Sequence, residues 1–464
     1  MKIHSKKIFL LHFLFLSLFA SAQNIYTLHK TSKPEQIGNR FFYFFDDSHK
    51  LTLPEITTHP GFTENKALVP NYNVISAAAW GKIKFTCADE GDYYLNLEPP
   101  TYTEITLYQR TNSGPWDSAR CGNAIPIEQR PMQVNHIIFK LNLHKGDTLT
   151  AFFRLYDYYP VHFNFRVGTL ENFTVDFHES DLFNCICYGV IIMMMLYNLY
   201  LYLIQRQIIY LYYVLYVLFS LMFSIITGGY AYHCPGFIQK FILSVPTGPP
   251  GLFGTFLLLF TLELFKGLIP DAIKKVIYIF IALMMINALL SMFEDMRRFT
   301  YVAIQAVALI LGLVSIICGV IAQRKGSKSA RYYLLGFGAY LCSLFYLIIA
   351  GAGVFSMNTI VFKILLGASA IEVVMLSFAL GDKFKFFQEE ALAQARKNES
   401  LVKDQNLVLE KKVKERTAEV VAQKELIEEK QKEILDSIRY AKRIQQSLLP
   451  NEKFIERTLN RIRK

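Results

Sequence analysis

"VHFNFRVGTLENFTVDFHESDLFNCICYGVIIMMMLYNLYLYL", residues 161–203, changes its hydrophobic period partway along, and that change decides the fold. The first seven residues alternate. Val161, Phe163, Phe165 and Val167 fall on one face and His162, Asn164 and Arg166 on the other, the period of two that a half-buried strand requires. From Phe183 the alternation gives way to a mainly apolar run, long enough as a helix to cross a hydrocarbon core of ~30 Å. A β domain therefore hands over to a membrane segment.

Upstream, the same strand pattern repeats. "HIIFKLNL" (136–143) sets Ile137, Phe139, Leu141 and Leu143 against Ile138, Lys140 and Asn142, and "WGKIKFTC" (80–87) and "TLTAFFRL" (148–155) alternate likewise. Turn residues in "EPP", "NSGP" and "HKGD" separate them. Several short strands so spaced predict an antiparallel β-sandwich over residues 23–180. Before it, "MKIHSKK" is a positive stretch, "IFLLHFLFLSLF" an apolar core and "ASA" a small-residue end at Ala22. These mark residues 1–22 as a signal peptide, so the sandwich is expected outside the cytoplasm.

Downstream, seven apolar runs follow, at 183–204, 208–227, 248–265, 275–293, 301–322, 332–353 and 360–381, giving a transmembrane domain over 182–382. The third is the least regular, since Pro246, Pro249 and Pro250 crowd its start. With the sandwich outside, the inner loops hold Arg206, Lys266, Lys274, Lys275, Arg324, Lys325, Lys328 and Arg331, and the outer loops only Lys240, Arg297 and Arg298. The positive-inside rule thus agrees with the signal peptide: a multi-pass inner-membrane protein with its C-terminus in the cytoplasm. The composition fits, because 52% hydrophobic and 19% charged residues over 464 positions is too apolar for an ordinary soluble chain.

Few residues suggest chemistry. The seven cysteines lack zinc-like grouping, and the Cys185–Cys187 pair is expected to be two helix residues, so neither metal nor cofactor is implied. Cys87 and Cys121 share an oxidising compartment, which permits a disulfide without showing that they meet. His136, His144 and His162 stand alone and are expected on the surface or in loops; no nucleophile or carboxylate pair accompanies them. Trp80, Trp116 and tyrosines 93, 94, 156, 158 and 159 can stack on a sugar ring or serve as sandwich core. Trp80, Trp116, Arg130 and Tyr156 are the candidates for binding a small molecule or carbohydrate. Inside the spans, Glu372 lies midway along the seventh, Lys363 near its outer end and Glu263 in the third. An intramembrane carboxyl is a functional candidate by default. Coupling or a structural role is favoured for Glu372 over transport, because matched broken helices are lacking.

The motifs "MLYNLYLY" (195–202), "YLYYVLY" (210–216) and Glu372 ahead of "LSFALGDKF" (376–384) resemble the bacterial seven-transmembrane receptors with diverse intracellular signalling modules, 7TMR-DISM. "CGNAIPIEQRPMQVNHIIFKLNL" (121–143) resembles the extracellular jelly-roll domain that precedes such bundles. The resemblance implies a receptor with a carbohydrate-binding-like sensor and makes Asn198 and Glu372 its signal-coupling candidates. "AWGKIKF" (79–85) departs from the more hydrophobic Trp-centred strand expected there, which bears on the ligand face.

Residues 386–449 contain no Gly or Pro, and Val413, Val420, Ile427, Ile434, Ala441 and Leu448 recur every seven residues. That is one row of a dimeric coiled-coil seam spanning 386–450, a rod of ~90 Å if continuous. Its companion row, Arg416, Gln423, Lys430, Ser437 and Ile444, is mostly polar, so the coil is expected to be loose and adjustable; a single solvated helix is the alternative. Residues 409–450 resemble the helical linker that leads into PP2C-like phosphatases of the sporulation-regulator type. That enzyme needs clustered aspartates for its metal ions. The basic tail, 451–464, has none, so the chain is expected to carry the linker without the enzyme. Residues 439–464 hold eight Lys or Arg against two Glu. Tethered to a membrane, they suit an acidic partner or lipid head groups rather than nucleic acid. Ile438, Arg439, Lys442, Arg443 and Leu448 are the docking candidates for a cytoplasmic effector. The leading expectation is a non-enzymatic receptor; a receptor phosphatase lacking its catalytic domain and, less favoured, a transporter are the alternatives.

Overall fold

A computed structural model describes residues 25–463 except 32, 159, 235, 246, 356 and 357. The expected signal peptide and Tyr159 lie outside the described residues. The chain divides into two compact units, Met1–Phe384 and Lys385–Lys464.

The described residues of the first unit begin with eleven strands: β1 Ile25–Leu28, β2 Glu35–Gln36, β3 Phe42–Asp46, β4 Thr63–Glu64, β5 Ala78–Cys87, β6 Tyr93–Glu98, β7 Ile105–Thr111, β8 Asp117–Cys121, β9 Ile137–Leu141, β10 Thr148–Leu155 and β11 Asn164–Thr169. One sheet runs β4-β3-β5-β10-β7-β8 with β1 beside β5, and the other runs β2-β11-β6-β9. The pairing is antiparallel apart from β1 on β5. Alternation supplies the core: Ile83, Phe85, Leu107 and Phe153 from the first sheet meet Leu95, Phe139, Phe165 and Val167 from the second. A short helix, α1 (Leu53–Thr58), covers part of the first sheet's other face. Its start is fixed by a capping box in which Thr52 and Glu55 bond each other's backbone ends.

The helices after the strands are α2 Leu170–Gln205, α3 Ile208–Thr227, α4 Gly236–Ser244, α5 Gly248–Leu264, α6 Asp271–Leu290, α7 Arg297–Arg324, α8 Ser329–Gly351 and α9 Thr359–Leu448. Among the described residues six are long and apolar enough to span a membrane, and α5, the span crowded by prolines, is a shorter apolar helix of 17 residues. All seven expected spans thus correspond to helices. The first departs from expectation at its start: α2 begins at Leu170, directly after β11, and not near Phe183. Its opening turns are polar in composition but not idle, because Phe173 and Phe177 pack against Tyr94 and Ile138 on the second sheet. In the bundle, Gly336 of α8 lets α9 approach closely: a Cβ there would lie 3.2 Å from the backbone of Glu372.

In the second unit, the residues of α9 beyond Lys385 are exposed along their described length, as are those of α10 (Glu452–Ile462). The heptad row Val413, Val420, Ile427, Ile434 and Leu448 is uncovered in the single chain.

Candidate sensing and coupling sites

Outward-facing residues of the first sheet form ranks set by strand register. Phe44, Trp80, Arg154, Thr106 and Arg120 lie across one rank, and Phe42, Lys82, Phe152, Tyr108 and Ser118 across the next. Trp80 is 1% exposed: it stacks on Tyr108 with ring centroids 5.9 Å apart and packs with Ile56 of α1. Trp116 is half-buried against Phe152. Cations stand over these rings, with Arg110 4.7 Å from the Trp116 centroid, Arg154 6.0 Å from Trp80, and Lys82 5.5 Å from both Phe62 and Phe152. Burial among the rings pushes the Lys82 ammonium below its ordinary pKa, and neighbouring Lys84 adds to this. The face is thus aromatic and cationic.

Arg130 and Tyr156 are elsewhere, at the junction with the helices. Arg130 is buried, donates to the carbonyls of Ile125 (3.0 Å) and Val134 (3.2 Å), and lies over Tyr232. Tyr156 faces His49 and Arg298. Trp80 and Trp116 therefore share one face, and Arg130 and Tyr156 each have other neighbours, so the four ligand candidates do not converge on one site.

The supposed Cys87–Cys121 disulfide is corrected by the sheet register. Both are buried free thiols. Cys121 lies level with Ala79 through Ile105 and Leu155, at the opposite end of β5 from Cys87 and three strands across. At ~3.3 Å per residue and ~4.8 Å per strand, the Cα atoms are over 20 Å apart, against the ~7 Å limit for a bridge. His136 and His162 are corrected too: both are buried, and only His144 is exposed. His136 stacks on Phe177 at 3.6 Å because α2 covers that face of the sheet.

The junction between sandwich and bundle is polar and fastened at several points. Arg166 of β11 bridges Glu98 of β6 (2.6 Å) and Asp176 of α2, joining both sheet strands to the first helix. Burial opposes its charge, but the two carboxylates outweigh that and raise its pKa. Asp181 accepts from Asn135 of the sandwich (3.2 Å) and from Tyr230 after α3. Tyr158 donates to Glu294 (2.6 Å) and accepts from Arg297 (3.2 Å). Gly229, at φ +76°, admits Pro100 and the Asn135 carbonyl, which a Cβ would strike at 2.6 Å.

Deep in the bundle, Asn198 of α2 donates to Ser377 of α9 (3.0 Å), and Tyr213 of α3 donates to the Val373 carbonyl (2.7 Å). Next to the second of those contacts lies Glu372, 0% exposed. Tyr213, Tyr216 and Tyr340 face it; the Tyr216 hydroxyl is directed at its carboxyl, but among the described residues the pair falls short of full hydrogen-bond geometry. Such an unsatisfied buried group costs about 1–3 kcal/mol. The structure thus brings the two coupling candidates onto one seam around α9. Glu263, by contrast, simply pairs with Lys266 at 3.0 Å.

Residues 38–169 match the 7TMR-DISM extracellular 2 family, and residues 180–383 match the 7TM diverse intracellular signalling family. The chain belongs to the 7TMR-DISM receptors. No curated protein matches it. A 7TMR-DISM protein is a multi-pass membrane signalling receptor with an extracellular domain, and the matched domains are sensory rather than catalytic. Among the described residues, no group of three or more His, Cys, Asp or Glu is placed to hold a metal.

The docking candidates of this 7TMR-DISM chain all lie on α9. Ile438 and Leu448 are exposed, Arg439 bonds Asp436 at 3.4 Å, and the i,i+4 spacing puts Ile438 with Lys442 and Arg439 with Arg443 on shared faces. Sequence reasoning missed the partners that make the junction: Asp181, Tyr230, Glu294 and Gly229. No local signal marks them, because each acquires its role only from chain that is distant in sequence.

Proposed function

We propose that the sandwich lies outside the cytoplasm and senses a small molecule or carbohydrate on its aromatic–cationic face. The bundle relays the event, and the tail delivers it, as a loose homodimeric coil, to a separate cytoplasmic effector. The observation that carries this is the helix α9: one helical run holds Glu372, the contacts to Asn198 and Tyr213, and the seven-residue apolar row of the tail. A shift of the membrane part of α9 against α2, α3 and α8 changes the register or rotation of the tail. The half-polar companion row supports two packings close in energy. Ile438, Arg439, Lys442, Arg443 and Leu448 form the effector contact in this reading. Sugar stacking on Trp116 and Tyr108, with cations flanking, supplies the ligand chemistry, whereas the covered Trp80 acts as their support.

The test is co-purification from native membranes with the full chain and with a chain lacking 436–464. A specific partner held by the first and lost from the second, with membrane insertion equal, supports the reading. The same partners on both refute the docking role.

A further inference from the structure

A cavity of about 140 Å³ lies where the sandwich meets the bundle. Its walls are mainly apolar and aromatic, including Phe223, Phe253, Phe337 and Tyr340, and among the described residues that line it none carries a charged side chain other than, when protonated, His162. His162 comes from the sandwich and is 2% exposed. Its backbone is clamped by Tyr102, which accepts from its N–H (2.9 Å) and donates to its carbonyl (2.7 Å). Both ring nitrogens, however, are without a partner among the described residues. Burial pushes the imidazole down to about 4, so at neutral pH it is uncharged, with one donor and one acceptor. A clamped, unsatisfied imidazole on an apolar void is costly unless something completes its hydrogen bonds.

We propose that this cavity is a binding site for a small, uncharged, mainly aromatic molecule carrying one hydroxyl or N–H group, which bonds to His162. The volume sets the size, since an engineered apolar cavity of about 150 Å³ in another protein takes up benzene. The walls set the class: an ion entering here would lose its water without gaining a counter-charge. The ring stacks among the aromatic side chains and its polar group satisfies the imidazole. Tyr340 both lines the cavity and faces Glu372, so occupancy is felt at the coupling seam. Binding itself does not depend on the receptor reading.

The full chain in lipid nanodiscs is titrated with 4-fluorophenol and with fluorobenzene, followed by fluorine NMR to separate saturable binding from partition into lipid. The native chain should bind fluorophenol saturably and about tenfold tighter than fluorobenzene, the worth of one hydrogen bond. His162→Leu should erase that preference. Gly254→Leu should remove saturable binding of both probes, because a Cβ at Gly254 sits 3.4 Å from Met284 and 3.6 Å from Leu311, both on the cavity wall, and a longer side chain grows into the void. No saturable binding overturns the proposal. So does equal affinity for the two probes, which would make the cavity a seat for any apolar group, such as a lipid chain. Binding undiminished in Gly254→Leu places the site elsewhere. If His162→Leu does not fold, the probe comparison and Gly254→Leu decide.

Discussion

Replacing Arg166 by methionine should unfasten the sandwich from α2. The methionine keeps an unbranched apolar stem but lacks the guanidinium that joins Glu98 and Asp176. Glu98 is then left almost fully buried without a counter-charge, at 8% side-chain exposure, while Asp176, at 35%, is partly rescued by water. Breaking a buried ion pair from one side costs about 3–5 kcal/mol, and the exposure of Asp176 argues for the lower end, about 3. For a unit of this size, that lowers the thermal midpoint of the sandwich by roughly 6–12 °C. Glu98→Gln and Asp176→Asn, added to Arg166→Met, should restore more than half of the loss by removing the stranded charges. The assay is thermal unfolding followed by tryptophan fluorescence, since Trp80 and Trp116 both report on the sandwich. A drop equivalent to less than about 1 kcal/mol, or no rescue by the triple variant, would refute the view that this triad fastens strand to helix.

Three further outcomes are expected. His162 binds a proton more readily unfolded, near 6.5, than folded, near 4. Its contribution is therefore intact above pH 6.5 and is lost as pH falls toward 4, by about 3 kcal/mol in full; the stability profile of His162→Leu should lack that component. Glu372→Leu removes a buried carboxyl whose one partner, the Tyr216 hydroxyl, meets it with incomplete geometry, and should stabilise the bundle by about 1–3 kcal/mol while signalling fails; a fall in the melting temperature would show that the Tyr216 contact satisfies the carboxyl. Cys87 and Cys121 should both react with a thiol reagent after denaturation without reductant, and reductant should leave the unfolding transition unmoved.

Periodicity made much of the fold legible. Val161, Phe163, Phe165 and Val167 alternate in sequence and are buried together between the sheets, and the apolar runs coincide with the helices. What periodicity concealed was a second covered face. Ile138 and His136 read as the open side of a strand, yet α2 lies over them, because its first turns are amphipathic rather than apolar and carry no membrane signal. Trp80 likewise reads as available to a ligand, yet α1 and Phe62 pack near it. Pairings between distant segments were beyond the reach of the sequence: two lone cysteines give no register, and the sheet places them three strands apart and at opposite strand ends. Glu372 was visible as a charge in an apolar run, but its tyrosine surroundings depend on how α3 and α8 pack against α9.

Cysteine cross-linking along the tail, in native membranes and compared between the wild-type chain and Glu372→Leu, tests the central claim that the buried seam governs the coil. Val420, Ile427 and Ile434 should cross-link between copies, and Gln423 and Lys430 should do so less. Glu372→Leu should change that rate pattern although residue 372 lies more than forty residues away. Cross-linking without seven-residue periodicity, or a pattern identical in the two chains, would contradict the account.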